Sequence, residues 1–333
     1  MSLSPSTQGR RLSSSDEVGI GRAHGKAILL GEHAVVYGAP ALAIPVPQLT
    51  VTASAAWFAR QSGGPDEISF MMTASEPVVS EAAGGLRRLV GEFRRVARIA
   101  DDRPIDLLVD CMIPPGRGLG SSAACSRAVV LALARLYHSE ISAKQVFDLV
   151  QTAEKEVHGK ASGIDTHATG SPYSIFFSSS AVQEIRVGFD GLFVIADSGA
   201  AGRTKDAVEL LAGGFERDPR AKEEFVRRVS SLGEGALEDL VHGRANDFGA
   251  RLTENHELLS SAGISTPLID KLVSVALDAG SLGAKITGGG LGGCMIALAR
   301  EPHRAQEAVR RLRDAGAVQT WIVPVGMFAG HVR

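Results

Sequence analysis

The stretch "PPGRGLGSSAA" (Pro114–Ala124) combines glycines, prolines and serines directly before a mostly apolar, helical segment. One interpretation is an ordinary loop that ends in a helix cap, with Ser121 or Ser122 accepting hydrogen bonds from the first N–H groups. The other is an anion site, because a helix N-terminus presents unpaired N–H donors and glycines let the backbone approach a phosphate. No lysine precedes the two serines, so the loop is not a Walker A sequence. The loop alone leaves both interpretations open.

Composition restricts the class of protein. A chain of 333 residues, 44% of them hydrophobic, is long enough for two domains with large cores. The formal net charge of −2 provides no basic surface for nucleic acid and no polybasic membrane surface. Three scattered cysteines without a CxxC pair predict reduced thiols and a cytoplasmic protein. No apolar stretch is long enough to span a bilayer, and the serine-rich residues 1–16 are expected to form a disordered tail.

Periodicity predicts a mixture of strands and helices without a regular βαβ rhythm. This mixture favours an α+β fold in both halves, with a boundary near residues 188–191. The predicted strands lie on either side of a loop at 31–38, and at 49–59, 104–113, 192–199, 284–287, 294–299 and 318–326. The predicted helices span 80–100, 122–138, 142–159, 204–259 with breaks near Gly213 and Gly233, 267–280 and 302–315.

A second glycine cluster, "KITGGGLGGC", spans Lys285–Cys294. Its glycines match the dinucleotide pattern G-x-G-x-x-G, but that pattern requires a helix directly afterwards. Here "CMIALA" follows, which is typical of a strand. The cluster is therefore either a long hairpin loop or a backbone that makes room for a bulky ligand.

Two further stretches carry charged residues that suit catalysis. Glu154 lies on a predicted helix and Asp165 in the loop beyond it; singly they resemble a surface charge and a turn residue. Together they offer one carboxylate for a divalent metal and one for a proton, as phosphoryl transfer requires. In "HGKAILLGEHAVVYG" (His24–Gly38), Lys26 is either a strand-edge lysine or a functional one. Glu32-His33 is either an exposed loop or a polar site between apolar strands.

The order of these four motifs resembles the GHMP small-molecule kinases over about residues 20–330. The stretch "GEHAVVYG" is most similar to the mevalonate kinase branch, whereas galactokinases usually continue with Thr-Asp and homoserine kinases and diphosphomevalonate decarboxylases lack it. The resemblance implies an N-terminal ATP-binding domain like ribosomal protein S5 domain 2 over 17–188. It also implies a ferredoxin-like C-terminal domain over 189–333, with the site in the cleft between them.

The resemblance also implies an activity and its residues. ATP would phosphorylate the 5-hydroxyl of mevalonate with Mg²⁺ as cofactor; the alternatives are a phosphomevalonate or sugar kinase, or a catalytically silent ligand sensor. No nucleic-acid or membrane partner is expected, and the chain would be a monomer or homodimer. Lys26 and Asp165 would be catalytic and also contact the acceptor, with Asp165 as the base, while Ser122 and Glu154 would hold the metal. The triphosphate is expected to contact Pro115, Gly116, Gly118, Leu119, Gly120, Ser121, Ser122 and Ala123. Besides Lys26 and Asp165, the acceptor is expected to contact Glu32, His33, Thr204, Gly289 and Gly290.

One position departs from the family pattern. Leu291 stands in "TGGGLGGC" where many relatives have glycine or another small residue. We expect it to narrow the motion of the loop without removing a catalytic group.

Overall fold

The computed structural model describes residues 18–57, 68–72, 76–101, 103–158, 161–178 and 181–326. The predicted tail, residues 1–16, lies outside these residues. No helix in the described ranges is both long and apolar enough to cross a membrane.

Two sheets and their covering helices make up the fold. The first sheet contains β1 (Val18–Leu30), β2 (Ala41–Trp57), β3 (Ile68–Met72), β4 (Ile105–Cys111), β5 (Ser174–Ser178) and β6 (Ala181–Ile185). The second contains β7 (Gly191–Asp197), β8 (Gly283–Thr287), β9 (Cys294–Ala299) and β10 (Gln319–Val325). The helices are α1 (Glu76–Val96), α2 (Ser121–Leu136), α3 (Ala143–His158), α4 (Ile164–Ala168), α5 (Thr204–Arg217), α6 (Pro219–Val241), α7 (Ala245–Ser261), α8 (Pro267–Asp278) and α9 (Pro302–Asp314).

The topology confirms the α+β prediction. The first sheet has the order β3-β4-β2-β5-β6, with β1 paired to β2, and its only parallel pair among the described strands is β3 with β4. The second sheet has the antiparallel order β10-β7-β9-β8. The predicted boundary falls between β6 and β7, and the division into 17–188 and 189–333 stays a prediction.

The strand β2 is longer than predicted. The sequence predicts separate strands before Pro47 and after it, but β2 runs unbroken for 17 residues through Pro45 and Pro47. Its pairing with β5 is confined to Ala41–Ala43 and that with β4 to Val51–Trp57. Both prolines therefore lie where β2 has β1 on one side only, and a missing N–H can be tolerated there.

The buried helix α2 lies directly on β1, as its apolar composition predicts. A Cβ atom at Gly21 would lie 1.9 Å from the carbonyl oxygen of Ala128, so a side chain there would push the helix away. The α2 residues Ala128, Val129 and Leu133 are fully buried. This packing fixes the position of the α2 N-terminus relative to β1.

The helical region 204–259 is interrupted at different places from those predicted. Gly213 and Gly233 lie inside α5 and α6, and the breaks fall at Asp218 and at residues 242–244. Asp218 accepts hydrogen bonds from two backbone N–H groups of α6 and precedes Pro219, which starts a helix well but cannot continue one. Gly233 stays helical because its missing side chain lets α6 pack against Pro40. Strands β5 and β6 occupy residues for which the sequence predicts no element.

Candidate active site

The loop at residues 114–120 connects β4 to α2 and has no serine cap. The N-cap residue of α2 is Gly120, in the left-handed conformation, so the interpretation as a cap by Ser121 or Ser122 is wrong. Gly116, Gly118 and Gly120 all have positive φ, between 67° and 78°, which side chains resist. An N-cap without a side chain supplies no oxygen to the first N–H groups of the helix, and these groups remain suited to an anion.

Lys26 lies beneath this loop and ties it to the base candidate. Its side chain is only 2% exposed, so the strand-edge interpretation is wrong. Its Nζ lies 2.9 Å from Asp165 Oδ1 and donates to the Gly118 carbonyl at 3.0 Å. Its backbone N–H donates to the Leu119 carbonyl at 3.0 Å. A Cβ atom at Gly120 would lie 2.9 Å from Lys26 Cγ, so the glycine is needed for this close approach.

Asp165 lies in the first turn of the short helix α4, not in a loop as predicted. The left-handed Gly163, with φ of 97°, turns the chain into this helix. The Asp165 side chain is 35% exposed, in contrast to its buried partner Lys26. Asp165 is therefore accessible to a ligand while it is held by a buried cation.

Glu154 and Ser122 lie on the packed helices α3 and α2. Glu154 is 4% exposed, so the interpretation as a solvated surface charge is wrong. A hydrogen bond with Cys111, burial and the nearby Glu154 carboxylate all raise the pKa of Cys125, which is one helical turn after Ser122. The Glu154 carboxylate thus lies near Cys125 in the N-terminal part of α2. Over the described ranges, no group of three or more His, Cys, Asp and Glu residues is placed to hold a metal.

The second glycine cluster forms a loop between β8 and β9, as predicted, and meets the first loop. A Cβ atom at Gly288 would lie 2.6 Å from Gly118 Cα. Arg117 crosses the same junction and pairs with Asp197, at the end of β7, at 2.9 Å. The glycine clusters therefore serve close backbone contact between two loops.

The acceptor residues predicted from the resemblance come together at this loop. A Cβ atom at Gly289 would lie 1.8 Å from Thr204 Oγ1, and one at Gly290 would lie 3.4 Å from His33 Nε2. Leu291 has a left-handed φ of 54°, and its N–H donates to the Ile264 carbonyl at 2.7 Å. The loop is thus tied to the neighbouring helical region at the position that departs from the family pattern, and the predicted effect on its motion is untested.

Glu32 and His33 are buried, so the exposed-loop interpretation is wrong. The Glu32 carboxylate accepts a hydrogen bond from Lys285 Nζ. Burial, with a smaller effect of Lys285, lowers the pKa of His33 to about 4. Sequence reasoning missed Lys285, although a lysine inside the apolar run "GAKIT" was a signal that it needs a buried partner.

Comparisons with known proteins show which family this chain resembles. The family models for the GHMP kinase N-terminal domain and for the GHMP kinase C-terminal region match residues 79–171 and 236–318. A mevalonate kinase of Aeropyrum pernix is 33% identical over 84% of this chain and 88% of its own length. One of Thermococcus onnurineus is 30% identical over 87% and 91%.

The chain belongs to the mevalonate kinase family of GHMP kinases. The crystal structure of L. major mevalonate kinase in complex with R-mevalonate superposes with a TM-score of 0.79, over 94% of this chain and 96% of that one, at 21% identity. At this identity the likeness shows the fold, and it confirms the GHMP kinase architecture with N-terminal and C-terminal domains.

Proposed function

We propose that this protein transfers the γ-phosphoryl group of ATP to the 5-hydroxyl of mevalonate. The observation that carries the chemistry is the Lys26–Asp165 pair directly beneath the glycine-rich loop. Membership in the mevalonate kinase family supports the identity of the acceptor. Mevalonate and ATP are the proposed ligands.

Asp165 is the proposed base. Its carboxylate accepts the proton of the 5-hydroxyl while the hydroxyl oxygen forms a bond to the γ-phosphorus and the bond to the ADP oxygen breaks. Lys26 holds Asp165 in place and puts a positive charge where the transferred group gathers negative charge. Its contact with the Gly118 carbonyl keeps the base and the phosphate loop in fixed relation.

The α2 N-terminus is the proposed triphosphate site. The N–H groups of its first turn and the positive end of the helix dipole favour an anion there. Because the glycines of the loop already hold their positive φ angles, little rearrangement is needed when the nucleotide binds. Pro115, Gly116, Gly118, Leu119, Gly120, Ser121, Ser122 and Ala123 are proposed to surround the phosphates.

Mg²⁺ fits the residues at the start of α2. A serine hydroxyl and a carboxylate supply the oxygen ligands that Mg²⁺ prefers, and Mg²⁺ commonly takes only one or two ligands from protein. Ser122 and Glu154 would hold it. When bound there it would neutralise charge on the phosphates.

The acceptor site is proposed at Glu32, His33, Thr204, Gly289 and Gly290, next to Lys26 and Asp165. His33 is neutral near pH 7, since its pKa is about 4, and in the tautomer protonated at Nε2 it donates one hydrogen bond. Ile264, which lies against Gly290, and the buried Ala34 offer apolar surface for a methyl group, and the cation of this corner, Lys285, is already paired with Glu32. This composition favours mevalonate over phosphomevalonate and sugars.

We also propose a cytoplasmic location and either a monomer or a homodimer. A cytoplasmic location agrees with ATP as co-substrate and with Cys111, Cys125 and Cys294, none of which forms a disulfide in the described part of the chain. A monomer and a homodimer both agree with the site, because its described residues come from one chain.

Release of ADP separates a kinase from a catalytically silent sensor. The purified protein is mixed with ATP and Mg²⁺, with and without mevalonate. We expect ADP release that depends on mevalonate and stops in the presence of a chelator. Binding of both ligands without ADP release would instead support a sensor and contradict the proposal.

A further inference from the structure

Lys285 is a buried cation that the proposed chemistry does not use. It lies in the middle of β8, is 0% exposed, and donates to the Glu32 carboxylate and to the carbonyl of Ile286. Burial lowers the pKa of Lys285, the pair with Glu32 opposes this shift, and repulsion from Lys26 adds to it. Removing an ammonium group from water costs free energy, and an apolar side chain would pack here at least as well. The buried pair therefore indicates a role other than packing.

A structural link between the two sheets already exists beside this pair. Thr287, two residues further along β8, accepts a hydrogen bond from the N–H of Ile28 at 3.0 Å and donates to its carbonyl at 2.8 Å. These neutral bonds join β8 to β1 without burying a charge. The Lys285–Glu32 pair is therefore not required merely to hold the sheets together.

Two polar atoms next to the pair point to a ligand. Lys285 binds one oxygen of Glu32, whereas the other, Oε2, and the Nε2 of His33 are buried without a hydrogen-bond partner in the described part of the chain. Buried polar atoms are normally satisfied, and exceptions concentrate where a ligand or water completes the site. Gly290 of the second glycine loop lies beside this corner, since a Cβ atom there would be 3.4 Å from His33 Nε2.

The chemistry of Glu32 selects the ligand group. A carboxylate oxygen only accepts hydrogen bonds, so its partner must be a donor. If the proposed function holds, on which this step rests, mevalonate brings two hydroxyl donors, and Asp165 takes the proton of the primary one. We propose that Lys285 is a positioning residue, which holds Glu32 so that its second oxygen accepts a hydrogen bond from the tertiary hydroxyl of mevalonate.

The test compares two acceptors in three variants. Lys285→Met removes the ammonium, Lys285→Arg keeps the charge, and the double variant Glu32→Gln/Lys285→Met removes the buried charges together. Lys271→Met, at an exposed lysine on α8 that donates to the Ala315 carbonyl, is the control. The acceptors are mevalonate and 5-hydroxy-3-methylpentanoate, which keeps the carboxylate and primary hydroxyl but lacks the tertiary hydroxyl. KM and kcat come from ADP release, and folding is followed by thermal unfolding.

We expect Lys285→Met to raise the KM for mevalonate at least about tenfold, which is the loss typical of a hydrogen bond to a charged group. The KM for ATP should rise less than twofold. Lys285→Arg should restore most of the affinity. For 5-hydroxy-3-methylpentanoate, the wild-type and Lys285→Met enzymes should have the same KM, because the group that Glu32 recognises is missing.

Equal losses with both acceptors would overturn the proposal, since they indicate a structural role. If Lys285→Met does not fold, the double variant is judged by the same comparison, and if that also fails to fold, the wild-type enzyme with the two acceptors decides. A wild-type enzyme that uses 5-hydroxy-3-methylpentanoate as efficiently as mevalonate would equally overturn it. Failure of the proposed function is a separate result, because the wild-type enzyme would then release no ADP with mevalonate.

Discussion

At the scale of single residues, the two charges at the centre of the site differ in burial. Lys26 is 2% exposed and Asp165 35% exposed, although their side chains are 2.9 Å apart. The buried cation is fixed by Asp165 and by the Gly118 carbonyl, whereas the carboxylate is accessible. This asymmetry suits a lysine that stays in place and an aspartate that meets the incoming hydroxyl.

Asp165→Asn should lower kcat about 10²- to 10⁴-fold, the usual contribution of a positioned base. The variant should keep its fold, because the asparagine oxygen can still accept the hydrogen bond from Lys26. Asp148→Asn, at an exposed α3 carboxylate paired with Lys144, is the matched control and should be fully active. Steady-state ADP release measures both, and near wild-type turnover in Asp165→Asn would remove it from the mechanism.

The stability of the protein should depend on pH through His33. Its pKa is about 4 in the folded protein against 6.5 in the unfolded chain, so the unfolded state binds more protons between these values. The contribution of His33 to the free energy of unfolding is therefore fully present above about pH 6.5 and is lost as the pH falls towards 4. For this one group the loss between pH 7 and pH 5 is about 2 kcal/mol.

Urea unfolding at pH 7 and pH 5 measures this effect. Other histidines, the half-buried His24 and His167 and the buried His256, also have lowered pKa values, so the wild-type slope alone does not isolate His33. The difference between wild type and His33→Gln does. Parallel losses of stability in the two proteins would contradict the assignment of a low pKa to His33.

At the scale of elements, the glycine-rich loop is held from both sides. β1 supplies Lys26 below it, and Arg117 within it reaches the end of β7, where it pairs with Asp197 at 2.9 Å and donates to the Gly199 carbonyl at 2.8 Å. Asp197 is buried and also accepts from the Gly199 N–H at 2.8 Å. The loop is thus preorganised by two elements that are distant in sequence.

Arg117→Gln should raise the KM for ATP about tenfold, because losing a charge-assisted contact of about 1.5–3 kcal/mol lets the loop move. The KM for mevalonate should change less. Arg227→Gln, at an exposed pair with Glu224, is the control and should have wild-type kinetics. An unchanged KM for ATP in a folded Arg117→Gln protein would show that this tether does not organise the loop.

Glu154→Gln should raise the Mg²⁺ concentration needed for half-maximal activity, and Ser122→Ala should do so to a smaller extent, because only Glu154 brings a full charge. Glu156→Gln, at an α3 carboxylate that pairs with Arg88 on the surface, is the control. Titration of activity with Mg²⁺ at fixed ATP measures the effect. An unchanged Mg²⁺ dependence in both site variants would place the metal elsewhere.

Local patterns predicted the elements better than their interruptions. Ser142 and Thr266, which directly precede α3 and α8, each accept a hydrogen bond from the backbone N–H three residues later, as serine and threonine commonly do before a helix. Gly213 and Gly233 failed as predicted breaks, because the cost of a helical glycine is small and tertiary packing overrides it. Pro47 failed as the end of a strand, because the sheet leaves it an unpaired side that the sequence does not reveal.

At the scale of the whole molecule, the site lies where the two sheets meet. Most residues of the site could be predicted from the sequence, because they belong to the glycine clusters or are charged residues beside them. It did not reveal Lys285 or the tether of Arg117 to Asp197, which are separated from their partners by 253 and 80 residues. Such contacts leave no local pattern, since they depend on how the sheets face each other.

The variant His33→Ala tests whether the acceptor and ATP bind to separate parts of the site. The side chain lies next to the second glycine loop, at the position proposed for the acceptor. We expect its removal to raise the KM for mevalonate more than the KM for ATP, because the phosphate loop has its own supports. Steady-state kinetics with each substrate varied in turn gives the comparison, and an equal rise in both constants would argue against an acceptor role.

The most direct test of the mevalonate kinase assignment is the rate of ADP release with a panel of acceptors at saturating ATP and Mg²⁺. We predict fast release with mevalonate and release at least about a hundredfold slower with phosphomevalonate, galactose or homoserine, which corresponds to about 2.7 kcal/mol in barrier. Faster release with phosphomevalonate or galactose than with mevalonate would contradict the assignment, while leaving the kinase fold intact.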